Sequence, residues 1–415
     1  MIQGTLGGWN PQRTSLRQSL PVLPDNSIEK NSTEMTTRAL SPNFRIFTRF
    51  GVWLPPEWSS GWRRILYQTY GIFVAVMLYS MFSFQFIGVF GSIGRINDLV
   101  ESLYTCATVF NLGWKIFNLL KKRREIVQLL LLLEADICQT KNPVEEEIQK
   151  TCNQRIWNRT KFLCAYFETT CVTMILTSMV KNIPERTLPL KAWVPFSYDD
   201  GLYWPVYLHQ VLGLIYVGMI HASYDTFIVG VMLTLCSQLK ILQYRNSEMS
   251  LLTTKSTVDR STLEKEFVIS SIKHHQLLQQ FAESFNNIIV YVIFIQYSVS
   301  SFVICVSAYK LVNLEVGDPE FTFAVLYCSS MIIQTFFYCW YGNEVILESE
   351  NIGNSLYTSK WYSLNVGTVR DVTMVIHKMQ YSIKFSCSRL CILSVESFKN
   401  LMKVTYSTFS VLAKS

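Results

Sequence analysis

Charge is scarce in this chain: Asp, Glu, Lys and Arg make up 16% of its 415 residues. Soluble domains carry about a quarter, so the two or three soluble domains that the length would allow are not the plan. A disulfide framework is missing as well. The 11 cysteines are an odd number, and Cys106, Cys164, Cys171, Cys236, Cys305, Cys328 and Cys339 lie inside apolar runs as small core residues. Catalytic signatures are absent: there is no Gly-x-Ser-x-Gly, no His-Glu-x-x-His, no phosphate-cradling loop and no dinucleotide fingerprint. An enzyme is not expected, and no cofactor or metal is. Cys387 and Cys391 could share a face, but two thiols without histidine partners do not make a metal site. Residues 1–42 are polar and hold no apolar segment, so a cleavable leader is not expected and the stretch reads as a disordered tail.

What the chain has in quantity is apolar surface, with 49% hydrophobic and 14% aromatic residues and a mean hydropathy of +0.21. That composition points to an all-α protein that crosses a membrane many times. From Trp62 onward, apolar runs long enough to span alternate with charged connections. They cover about 65–93, 99–120, 162–180, 202–239, 285–312 and 321–346, and a seventh lies near the end of the chain. The second run is weakened by Glu101 and Lys115, and the third is interrupted by Glu168. The fourth is far longer than a bilayer requires, so it must tilt or project from the membrane. Gly88, Gly91 and Gly94 suit close helix packing or a helix end.

Basic residues set the orientation. Connections on one side carry 8 (through Arg64), 9 (121–161), 6 (240–273) and 5 (360–389), a total of 28, against 6 on the other side. The N-terminus is therefore expected in the cytoplasm and the C-terminus outside. The same distribution accounts for the net charge of +7 without nucleic acid. On the outer side, the loop 181–204 is rich in Pro, Trp and Tyr and is expected to pack over the bundle. His274-His275 falls in a charged cytoplasmic stretch and is expected to be solvated, whereas His221 and Asp225, one helical turn apart, suit a buried hydrogen bond.

The last run, 390–411, carries a strip of polar residues. Taken as a helix, it places Glu396, Asn400, Lys403 and Ser407 along one line, with Leu393, Phe398, Leu401, Met402 and Phe409 in other directions. A line of this kind in a membrane protein usually faces water; the plainer alternative is an amphipathic helix on the membrane surface. Ahead of it, 366–385 is amphipathic. A secondary transporter would need midplane charges, broken helices and an internal repeat, and no repeat is visible. The orientation is opposite to that of a G-protein-coupled receptor, and the motifs of that class are missing.

Tyr341-Gly342-Asn343-Glu344 after the sixth span, Lys360-Trp361-Tyr362, and Phe398 with Thr405-Tyr406-Ser407 and Phe409 at the end together resemble the insect odorant receptors. The related gustatory receptors are disfavoured because Leu412-Ala413 stands where they carry Gln-Phe. The odorant co-receptor is disfavoured by the short connection between spans four and five. The resemblance implies a ligand-tuned subunit of a ligand-gated, non-selective cation channel. Such a subunit forms a hetero-tetramer with co-receptor subunits in the plasma membrane of sensory-neuron dendrites. It implies a split seventh helix lining a central pore, with Leu393 and Ser397 at the gate and Glu396, Asn400, Lys403 and Ser407 forming the wet strip. It also places a small volatile odorant in the outer half of the bundle. The residues offered there are Thr105 and Val109, then Thr170, Thr173 and Thr177, then His209, Leu212 and Tyr216, and finally Phe323, Tyr327 and Ser330. The expected divisions are a cytoplasmic tail at 1–61, the ligand-binding bundle at 62–346, an anchor region at 347–389 and the pore helix at 390–415.

Overall fold

The computed structural model describes residues 37–55, 58, 61–195, 201–249, 260–388 and 391–412. It is built from helices: α1 (Thr37–Arg49), α2 (Gly61–Gly91), α3 (Ile96–Lys121), α4 (Arg123–Leu132), α5 (Pro143–Lys181), α6 (Tyr203–Ser247), α7 (Arg260–Val312), α8 (Pro319–Thr358), α9 (Val366–Met379) and α10 (Val395–Leu412). A short antiparallel hairpin, β1 (Ser386–Ser388) and β2 (Cys391–Ile392), precedes α10. Local chemistry sets several starts. Asn142 caps α5 by accepting from the Glu145 amide at 2.9 Å, and Asp318 caps α8 by accepting from the Glu320 amide at 2.9 Å. Each is followed by a proline at the first helical position, where no amide donor is needed.

By length and composition, α2, α5, α6, α7 and α8 can each cross a bilayer. The other two spans expected from the sequence, α3 and α10, are less apolar or shorter and pack beside them. At the centre stands α6, whose residues from Ile220 to Met232 are all buried. At 1.5 Å per residue its 45 residues reach roughly 67 Å, more than twice a hydrocarbon core. The surplus of α5, α6, α7 and α8 at the basic end forms a second body with α4 and α9. There Arg245 donates to both Glu145 oxygens at 2.9 and 2.8 Å and to the carbonyls of Ile137 and Gln139.

Several expectations are corrected. The tail ends well before residue 61: α1 packs on α6, with Leu40 and Phe47 buried and Asn43 donating to the Ser223 carbonyl at 2.9 Å and the Thr226 hydroxyl at 2.6 Å. Residues 1–36 lie outside the described residues. His274 and His275 are buried, not solvated, because α7 turns them toward α6 and the core; His274 meets the Gln238 side chain at 3.3 Å. Burial pushes both rings down to about 4. The amphipathic run stops at Met379, and the last helix starts at Val395 instead of 390. The residues between them form the hairpin, held to α7 where the Ser386 amide donates to Asn286 Oδ1 at 2.8 Å.

That hairpin explains the Tyr341–Glu344 motif. A Cβ on Gly342 would stand 2.6 Å from both the Leu393 Cβ and its carbonyl oxygen, so only glycine lets this backbone approach α8. Tyr341 is buried with its ring edge-on to Phe337, and Glu344 pairs with both Arg155 nitrogens at 2.8 and 3.2 Å. The motif is a joint between α8, α5 and the root of α10.

Candidate functional site

Among the described residues, an apolar cavity of about 80 Å³ lies inside the bundle between α2, α3, α5, α6 and α8. On α6 it is lined by Leu214, Val217, Gly218 and His221, spaced as one helix face. α8 contributes Phe323, Tyr327, Ser330, Met331 and Gln334, again one face, and α5 contributes Phe167, Thr170, Cys171 and Met174. α3 presents Thr105, Thr108 and Val109, and α2 presents Met81 and Gln85. The loop after α5 closes one side with Leu190, which is locked to α6 through the Gln210 amide: the Leu190 N–H donates to Gln210 Oε1 at 2.9 Å. The same loop lies on α2, where the Trp193 amide donates to the Phe84 carbonyl at 2.9 Å and Gly88 leaves room for the passing backbone.

Six expected residues therefore come together here: Thr105, Val109, Thr170, Phe323, Tyr327 and Ser330. Thr177 instead lines a neighbouring polar vestibule of about 210 Å³, which shares Met174 and Phe323 with the cavity. The other four do not line the cavity. Thr173 caps back onto the Thr169 carbonyl, and Leu212 points outward with 49% of its surface exposed. His209 meets the Ser80 hydroxyl at 3.0 Å, and Tyr216 meets the Tyr70 hydroxyl at 3.0 Å with its ring against Phe50. On α6 the expected face is roughly opposite the observed one: Leu212 and Leu214 differ by about 200° at 100° per residue. The spacing of Leu214, Val217, Gly218 and His221 was the available signal, since i, i+3, i+4 and i+7 share one helix face.

Most polar atoms on the wall are already engaged. Tyr327 shares a hydrogen bond with Thr108 and donates to the Tyr104 carbonyl at 3.3 Å, its ring set between Tyr104 and Phe323. Thr170 and Ser330 meet at 3.2 Å, and Thr105 donates to the Glu101 carbonyl at 2.9 Å. Beneath the cavity runs a continuous buried network. Asn111 donates to Gln296 at 2.6 Å, Gln296 to Gln334 at 2.9 Å, and Gln334 to Asp225, which also accepts from Tyr338 and Lys115. Lys115 reaches His221 Nδ1 at 3.1 Å, which leaves the other ring nitrogen to donate to the Thr108 carbonyl at 3.2 Å. The expected His221–Asp225 bond is thus replaced by a lysine held between the two, because the ammonium is fully buried and must be paired where it sits.

At the vestibule rim the charges interlace. Lys181 pairs with Asp318 and Glu320 at 3.1 and 2.8 Å, Lys310 with Glu320 and Glu101 at 3.2 and 3.6 Å, and Lys191 with Glu101 at 3.1 Å and with Asp98. Lys191 beside it holds the Asp98 carboxyl below the usual range.

α10 shows two faces. Phe398 sits on Phe336 with ring centroids 5.4 Å apart, and the Thr405 hydroxyl meets Ser301 on α7 at 3.1 Å. On the opposite face Glu396, Asn400, Lys403 and Ser407 are all exposed, while Ser397 is half-buried against Ser394. Leu393 stands ahead of the helix and is fully buried against Gly342, so it does not belong to the exposed strip.

The family model described as 7tm Odorant receptor matches residues 95–406 of this chain. The chain belongs to the odorant receptor family. Odorant receptor 10 of Aedes albopictus is 22% identical over 342 residues, spanning 80% of this chain and 88% of that protein. Odorant receptor Or1 of Anopheles gambiae is 22% identical over 390 residues, spanning 87% and 92%. The olfactory receptor OR5 of Machilis hrabei, solved in complex with eugenol, superposes with a TM-score of 0.75 over 90% of this chain and 97% of its own, at 14% identity. This odorant receptor is a multi-pass membrane protein of the chemosensory class, and the membership places it outside the enzymes.

Proposed function

We propose that this odorant receptor is the ligand-tuned subunit of a ligand-gated, non-selective cation channel. It works with odorant co-receptor subunits as a hetero-tetramer in the plasma membrane of the sensory-neuron dendrite, N-terminus inside and C-terminus outside. The odorant is a small, mostly apolar volatile bound in the cavity against Thr105, Val109, Thr170, Phe323, Tyr327 and Ser330. The complex of the Machilis relative with eugenol, a small aromatic volatile, supports a ligand of this size class. The observation that carries the reading is the cavity itself, apolar and set within the bundle, with most of its polar groups bonded inside the protein.

Cations pass along α10. Its exposed strip of Glu396, Asn400, Lys403 and Ser407, with Ser397 at the edge, is flanked by the exposed apolar side chains Val404, Val411 and Tyr406. A wet line between apolar flanks suits a helix that contributes one wall of a shared pore and packs against neighbours on either side. Leu393 acts as the root of that helix and does not face the ions.

The test is current recorded from cells expressing this chain with and without a co-receptor while a panel of volatiles is applied. Odorant currents are expected only in the pair. Robust currents from the chain alone would favour a homomeric channel. No current from the pair, with both proteins at the surface, would remove the reading.

A further inference from the structure

Gln85, on α2, lines the cavity with none of its surface exposed, yet neither its Oε1 nor its Nε2 meets any protein hydrogen-bond partner. The other polar side chains of the wall differ in this respect. Thr105, Thr108, Thr170, Tyr327, Ser330, His221 and Gln334 all bond within the protein. A buried amide with both ends unpaired is costly in an apolar bundle. From within the cavity it can be satisfied by a water or by a polar group on the ligand.

We propose that Gln85 is the specificity-determining anchor of this cavity and that it selects small apolar molecules carrying a hydroxyl group, alcohols and phenols. The inference rests on the reading of the cavity as the odorant site. An amide offers a donor and an acceptor side by side. A hydroxyl matches both, donating to Oε1 while accepting from Nε2. A methyl ether or a ketone satisfies the N–H alone and leaves Oε1 unpaired, and a hydrocarbon leaves both unpaired. A carboxylate would enter with a charge and find no free cation, since Lys115 below the floor is committed to Asp225 and His221. No carboxylate stands among the residues that line the cavity, so a protonated amine would meet no anion on its wall. The contrast should be large because a site built to hydrogen-bond a ligand rejects the analogue that lacks the group.

The experiment uses the full-length receptor expressed with a co-receptor. Probes are matched trios on hexyl, octyl, decyl, monoterpene and alkylbenzene skeletons: the hydroxyl compound, its methyl ether and its parent hydrocarbon. On whichever skeletons activate, the hydroxyl compound should be at least about tenfold more potent than the ether, the worth of about one hydrogen bond. Gln85→Met, similar in length and apolar, should cost the hydroxyl compound about tenfold and bring the trio within about threefold, leaving the hydrocarbon unchanged or improved. Val109→Phe fills the same cavity without touching the amide and should weaken all three members together.

A Val109→Phe shift with the Gln85→Met trio spread intact overturns the inference and leaves the odorant site standing. No effect of Val109→Phe removes the site and the inference with it. Surface labelling separates both from failed folding. If Gln85→Met does not reach the surface, the wild-type receptor decides: equal potency within the trios, or activation by hydrocarbons or carboxylates alone, overturns the proposal.

Discussion

The pair Lys115 and Asp225 gives the sharpest test of how this bundle is held together. Both side chains are buried, at 0% and 3% exposure, and they come from α3 and α6. Lys115→Met keeps the length and apolar stem of the side chain and removes the ammonium. Asp225 would keep the hydroxyl of Tyr338 and the amide of Gln334 but lose its only cation among the described residues. Breaking a buried pair from one side typically costs about 3–5 kcal/mol, because the remaining charge has no compensation and no water. At about 1.4 kcal/mol per tenfold, that corresponds to a loss of roughly two to nearly four orders of magnitude in the folding equilibrium. The double variant Lys115→Met/Asp225→Asn removes both charges while keeping a side chain that can still accept from Tyr338. It should recover most of the loss, with a residual cost of about 2 kcal/mol or less. The assay is thermal unfolding of detergent-solubilised protein followed by size-exclusion chromatography, alongside surface labelling in cells. A Lys115→Met protein as stable as wild type would refute the reasoning. So would a double variant no better than the single one.

Three further outcomes are expected. Tags at the two ends should label differently in intact cells, the C-terminal one without permeabilisation; surface staining of the N-terminal tag would reverse the orientation. Glu396→Gln removes an exposed carboxylate from the strip on α10 and should lower the relative permeability of divalent over monovalent cations without moving the odorant dose–response; unchanged reversal potentials would take Glu396 away from the ions. His274 and His275 are held at about 4, below the ordinary 6.5, so the unfolded chain takes up their protons first as pH falls. Stability should therefore be full above about pH 6.5 and decline toward pH 4. The variant His274→Gln/His275→Leu should flatten the melting temperature between those limits, and an unaltered pH slope would assign the dependence to other groups.

What the sequence made legible was whatever repeats along one helix or accumulates along the chain. The apolar runs marked the spans because each must satisfy its backbone within itself. The over-long fourth run was visible as α6, and on α3 and α8 the expected Thr105 and Val109, and Phe323, Tyr327 and Ser330, keep helical spacing and line one cavity. What stayed hidden depended on partners far away in the chain. Lys115 read as a blemish in a span because its acceptor lies 110 positions later. Gln85 stands inside the first apolar run, and nothing local shows that its neighbours leave it unpaired. On α6 the expected His209, Leu212 and Tyr216 lie on a different face from the Leu214, Val217, Gly218 and His221 that line the cavity. The hairpin ahead of α10 was missed because so short a pair of strands carries no periodicity, and its position is set by Gly342 on another helix.

α8 is the element common to the two ends of the proposed mechanism. Its first half walls the cavity through Phe323, Tyr327, Ser330 and Gln334. Eight residues beyond Gln334, or roughly 12 Å along the axis, Gly342 receives Leu393 at the root of α10, and between these points Phe336 carries Phe398. A rotation or shift of α8 at the cavity cannot be absorbed at Gly342, because backbone meets backbone there without a side chain to yield. A rigid strut of this kind transmits displacement, but it does not by itself produce gating. The energy must come from a difference in odorant affinity between two arrangements of α8, and an odorant that fits both equally would open nothing however tightly it bound. The α8 wall of the cavity and the seat of the α10 root are therefore constrained together along one helix, and substitutions between Gln334 and Gly342 should change how strongly binding is coupled to current more than they change binding itself.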